Sequence, residues 1–134
     1  MDALNVIEAI RTRRSVRQFT DEPVNEETLR LLLACAMHAP SSENEQPWHF
    51  IVIRNKERLK EIARRDPYAR MAAYAPLAIA ICGDLATARS PGFWMLDCAA
   101  AMENLLLPPM ELVWAVYGAA CIRTNHFHVP LVNC

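Results

Sequence analysis

Four arginines, Arg11, Arg13, Arg14 and Arg17, fall within seven residues and stand beside Ser15. Guanidinium groups are permanently charged forks that match phosphate oxygens two at a time, and a hydroxyl adds a neutral donor, so the run carries the chemistry of a phosphate clamp. The same residues sit where a first helix should end, and cations there are favourable with no ligand at all. Taken alone, the solvated helix end weighs more. A second polar group, Ser41, Ser42, Asn44 and Gln46, lies between Pro40 and Pro47. Short side chains with directional donors and acceptors on a proline-stiffened turn suit the polar edge of a flat heterocycle, though these residue types also build ordinary turns.

The elements that must position these groups follow from capping and periodicity. Asp2 can cap a first helix with Ala3, Val6, Ile7 and Ile10 on one stripe, which delivers the arginines at its C-terminal end. Asn25 is an N-cap, Glu26 and Glu27 suit the positive end of the dipole, and Leu29, Leu32, Leu33 and Ala36 repeat at helical spacing until Pro40. The polar loop then opens onto Trp48–Ile53, a β-branched and aromatic run expected as a buried strand. Asn55 caps a charged helix from Glu57 to Arg65, Pro67 and Pro76 bracket a short helix around Met71, and Leu77–Cys82 reads as a second buried strand ending at Gly83-Asp84. A long helix from Phe93 carries Leu96, Ala99, Ala100, Met102, Glu103 and Leu106 as far as Pro108-Pro109, a pair that no helix interior takes cheaply.

The 134 residues fit one domain, and 53% hydrophobic against 22% charged residues supply a core and exclude a disordered chain. A net charge of −1 gives no overall field toward nucleic acid or an anionic membrane, so an anion site must be local. The three glycines, Gly83, Gly92 and Gly118, form neither G-x-G-x-x-G nor a P-loop. Five cysteines, odd in number and never spaced C-x-x-C, read as reduced thiols of a cytoplasmic protein. Neither a signal peptide nor an apolar run long enough to cross a membrane is expected, and no nucleic-acid or membrane partner.

Three segments together resemble the nitroreductase family of FMN-dependent oxidoreductases. They are Arg13-Arg14-Ser15-Val16-Arg17-Gln18-Phe19, the stretch Ala39-Pro40-Ser41-Ser42-Glu43-Asn44-Glu45-Gln46-Pro47-Trp48-His49-Phe50, and Asp97-Cys98-Ala99-Ala100-Ala101-Met102-Glu103-Asn104-Leu105-Leu106-Leu107. The resemblance covers residues 1–107 and implies an α+β, nitroreductase-like fold, here incomplete at its C-terminus. It implies that Arg13, Arg14, Ser15 and Arg17 hold the FMN phosphate and ribityl chain. Pro40, Ser41, Ser42 and Asn44 would meet the isoalloxazine from the partner subunit of a homodimer. The implied flavoprotein chemistry takes hydride from NAD(P)H onto FMN and passes it to a small-molecule electron acceptor such as a nitroaromatic or a quinone. No catalytic side chain and no metal is implied. The alternative is an inactive truncated fragment that dimerises or aggregates without flavin.

Residues 108–134 depart from the family pattern and form a divergent tail. Back-translated and read one nucleotide earlier, residues 108–123 allow Ala-Ala-His-Gly-x-Gly-Leu-Gly-x-x-Trp-x-Gly-Val-Tyr-Pro, with glycines forced at the Met110 and Trp114 codons. That string resembles the family's continuation, so the tail is expected to be an out-of-frame product.

The remaining features have structural readings. Cys121, His126, His128 and Cys134 lack the usual zinc spacing. His38 and His49 are expected as structural histidines flanking the loop, Cys35 and Cys98 as core, and Trp48 as core or dimer interface. Phe93 and Trp94 read as core or dimer interface, with the small residues Cys98–Ala101 allowing helix-to-helix dimerisation.

Overall fold

The computed structural model describes residues 6–90 and 92–108 together with the backbone of 122–123. Helix α1 spans Val6–Thr12, α2 spans Glu26–Met37, β1 Trp48–Ile53, α3 Lys56–Arg65, β2 Ala78–Gly83, α4 Trp94–Leu106 and β3 Ile122–Arg123. The Asp2 cap lies outside the described residues, and so do Cys121, His126, His128 and Cys134, whose spacing argues against a zinc set. So does the tail reading, apart from Pro108 and the two residues of β3.

Helix α2 starts as its sequence dictates: Asn25 Oδ1 accepts the Thr28 amide at 2.7 Å, satisfying one of the orphan N–H groups of the first turn. Asn55 does the same for α3, accepting the Arg58 amide at 3.1 Å. In α3 Glu61 is bracketed by Arg65 and Arg64, whose guanidinium groups hold its carboxyl below the usual range. The proline-bracketed segment forms a 3-10 helix at Arg70–Tyr74 rather than an α-helix, and it packs on α3 around the fully buried Leu59.

Strands β1 and β2 pair antiparallel, in a register that sets Trp48 opposite Gly83 and Ile53 opposite Ala78. β3 joins the far side of β2 in parallel at Cys82 and Gly83, giving the order β1-β2-β3. Helix α4 packs on the sheet and α2 packs on α4. Between these layers lies the core of Leu32, Ala36, Ala39, Trp48, Ile81, Cys98, Ala101 and Leu105. Asn104 Nδ2 donates to the Cys35 carbonyl at 3.1 Å and pins α2 to α4.

Two expectations are corrected. Neither strand is buried throughout: in β1 Trp48 is buried, His49 exposed and the rest half-buried, because β1 is an edge strand among the described elements. The apolar stripe of α1 is not covered either, since Val6, Ile7 and Ile10 are each more than half exposed and Ala9 alone in that helix is buried.

Candidate functional site

The arginine run leaves α1 as irregular chain. The Arg13 amide closes the last helical turn on the Ala9 carbonyl at 2.9 Å, and Arg14 Nη1 turns back to the carbonyls of Arg13 at 2.9 Å and Arg11 at 3.2 Å. These contacts are those of a helix end whose carbonyls need donors. Arg13 Nε reaches Glu103 of α4 at 3.7 Å, while Arg14, Ser15 and Arg17 are exposed. No aspartate or glutamate occurs in the sequence between Glu8 and Asp21, and the counter-charge at Arg13 comes from α4.

The polar loop is more constrained than its composition announced. Ser42–Asn44 form one 3-10 turn, and Glu43, Asn44 and Gln46 adopt positive φ values of 51°, 56° and 50°. Non-glycine residues pay strain there, on the order of 1–3 kcal/mol each, and hold such shapes where their surroundings over-determine them. Those surroundings are visible. Ser41 Oγ accepts the Gln46 amide at 3.0 Å, and the Ser41 carbonyl accepts the Asn44 amide at 3.1 Å. Glu45 reaches across to 89–90, accepting the Arg89 amide at 2.9 Å and both the Ser90 amide and hydroxyl at 3.0 Å. The Ser42 amide donates to Asp97 Oδ1 of α4 at 3.0 Å. Ser41 and Ser42 end half-buried, whereas Pro40 and Asn44 stay exposed.

Both groups therefore attach to α4, the arginines through Glu103 and the loop through Asp97. Six residues separate the two anchors, roughly 9 Å along a helix axis. Asp97 and Glu45 were not singled out by sequence reasoning. Their signal was there: a carboxylate in the first turn of an apolar helix, and one in the middle of a loop of neutral polar residues.

The flanking histidines differ. His38 is exposed and its Nδ1 lies 2.7 Å from the Ala34 carbonyl, a contact at the end of its own helix. His49 Nε2 lies 3.4 Å from Asp84 Oδ2. Asp84 also accepts the Ala86 amide and the Thr87 hydroxyl at 2.8 and 2.9 Å, and these donors, the Ala86 amide first, draw its carboxyl below the ordinary range. Of the small residues expected to allow helix-to-helix dimerisation, Cys98 and Ala101 are fully buried within the protomer, while Ala99 is exposed near the exposed Phe93, Met95 and Leu96.

The sequence pattern of the nitroreductase family matches residues 10–69, a span that contains the arginine run from Arg11 to Arg17 and the polar loop from Pro40 to Pro47. A protein of Methanothermobacter thermautotrophicus, provisionally named NADH dehydrogenase/NAD(P)H nitroreductase, is 47% identical over 109 residues, 81% of this chain and 57% of its own length. The FMN reductase [NAD(P)H] of Bacillus subtilis is 34% identical over 84 residues, 63% of this chain and 34% of its own. Among solved structures, a provisionally named nitroreductase from Desulfovibrio desulfuricans in complex with FMN superposes with a TM-score of 0.74 at 35% identity, covering 80% of this chain and 63% of that one. The chain thus spans less than two thirds of these relatives.

Proposed function

We propose that this chain, which belongs to the nitroreductase family, is the FMN-holding part of an NAD(P)H-dependent oxidoreductase. The observation that carries the reading is the arginine run: exposed donors at the end of α1, with no acidic residue between Glu8 and Asp21. A phosphate group is the ligand such a donor set fits, because it is an anion that accepts forked hydrogen bonds.

In this reading Arg13, Arg14, Ser15 and Arg17 hold the FMN phosphate and ribityl chain, and Glu103 orients Arg13. Pro40, Ser41, Ser42 and Asn44 meet the ring, with the left-handed turn at Glu43–Asn44 setting their direction. When bound, FMN would accept hydride from NAD(P)H and reduce a nitroaromatic, quinone or similar small molecule. The protein's share is to bind and orient, so no side chain of this set needs to move a proton.

A homodimer belongs to the same proposal, with the loop of one subunit serving the cofactor of the other. It is supported by the uncovered faces Val6, Ile7 and Ile10 on α1 and Phe93, Met95 and Leu96 around the start of α4. Among the described residues no helix is long and apolar enough to cross a membrane. Cys35, Cys82 and Cys98 remain thiols, in keeping with a cytoplasmic setting.

The test is the purified protein itself. It should be yellow, with flavin absorbance in molar proportion to the chain and the released flavin identified as FMN. A colourless protein whose addition leaves FMN fluorescence unchanged would favour the fragment that associates without flavin.

A further inference from the structure

Asp97 is 5% exposed, and it is the one charged residue among the buried described residues. A first-turn carboxylate is welcome at a helix N-terminus, but that attraction needs no burial. What burial provides here is reach: Asp97 Oδ1 accepts the amide of Ser42, 55 residues away in sequence, at the residue where the left-handed turn begins. Its Oδ2 is buried with no hydrogen-bond partner among the described residues. An unsatisfied buried carboxylate oxygen is a cost the fold carries, and the loop shape is what that carboxylate secures in return.

We propose that Asp97 is a positioning residue for the loop: by holding the Ser42 amide it fixes the turn through which Ser41, Ser42 and Asn44 face the flavin ring. The inference rests on the reading under "Proposed function". Glu45 secures the far end of the same loop through Arg89 and Ser90. With Glu43, Asn44 and Gln46 all at positive φ, a loop released at either end relaxes toward extended conformations and loses its presented hydroxyls.

The test compares the chain with Asp97→Ala and Asp97→Asn by two measurements, amide exchange at Ser42 without flavin and FMN affinity from fluorescence quenching. Asp97→Ala should expose the Ser42 amide to exchange, weaken FMN about tenfold or more and shift the visible band of the bound flavin. Asp97→Asn keeps an oxygen that can accept from Ser42 and should restore most of both. Asp97→Ser, polar but too short to reach the amide, replaces Asp97→Ala if that variant does not fold. Equal affinity in the parent and the shortened variant overturns the inference even if exchange rises, since Asp97 would then be structural only. A parent chain that takes up no FMN overturns the underlying reading and this inference with it.

Discussion

Trp94 packs against Gly83, so close that a Cβ on Gly83 would sit 2.8 Å from Cζ3 of the indole and nearer still to Cε3. The helix thus begins on the backbone of the strand, at the residue paired with Trp48. Gly83→Ala should therefore lose about 1–3 kcal/mol, the usual cost of overpacking, because the clash is with a ring body rather than a flexible tip. Chemical denaturation measures it. An unchanged midpoint would mean that Trp94 can swing aside freely.

Arg13→Ala and Arg14→Ala should each weaken FMN binding about tenfold or more, the scale of a charge-assisted contact. Glu103→Gln removes the carboxylate that orients Arg13 and should weaken FMN binding, by less than loss of the guanidinium itself. Flavin fluorescence quenching decides. Equal affinity in all the arginine variants would return the run to the role of a solvated helix end.

Loss of an N-cap should register without any flavin. Asn25→Ala leaves the Thr28 amide without its acceptor and should cost about 1 kcal/mol. The same substitution at Asn55, which caps α3, should cost a similar amount. Thermal unfolding followed by circular dichroism checks both, and no change at Asn25 would show that water replaces the cap fully.

Acid should act at Asp84. Its carboxyl titrates below the ordinary value of 3.8 in the folded protein because the Ala86 amide, the Thr87 hydroxyl and His49 favour the ionised form. A depressed folded pKa contributes stability that is complete above the unfolded value and lost as pH falls through the folded one. Asp84→Asn should therefore lower stability above about pH 4, where the contribution is complete, and flatten the fall below it, so that variant and parent converge in acid. A profile parallel to the parent throughout would remove Asp84 from the account.

If residues 108–134 are an out-of-frame product, a chain with the frame restored after Leu107 should be a soluble yellow dimer by light scattering and absorbance. The 134-residue chain should turn over NAD(P)H with a nitroaromatic far more slowly than about 1 per second. DNA sequence across codon 107 tests the premise directly. Equal rates in the two chains would show that residues 108–134 cost the enzyme nothing.

Much of the scaffold was legible because its signals are local. Asn25 and Asn55 cap the helices they precede, and Trp48–Ile53 is a strand with the ends its β-branched run announced. The exposed stripe of α1 was not legible, since periodicity tells which residues share a face but not whether anything covers it. At the candidate site the arginines and the loop residues could be named from type and spacing, whereas Asp97 and Glu45 could not. Their roles are contacts across 44 to 55 residues, and no window of sequence contains both partners.

Those long spans also set an order of assembly. Every anchor that binds the loop to the rest of the molecule closes a large ring of chain: Glu45 to Arg89 and Ser90, and Ser42 to Asp97. Closing such rings costs entropy before the contact is made, so the left-handed turn cannot take its shape until β2 is paired and α4 has docked. The loop from Pro40 to Pro47 is thus expected to mature after β2 and α4 have come together, and its formation reports that those steps are complete.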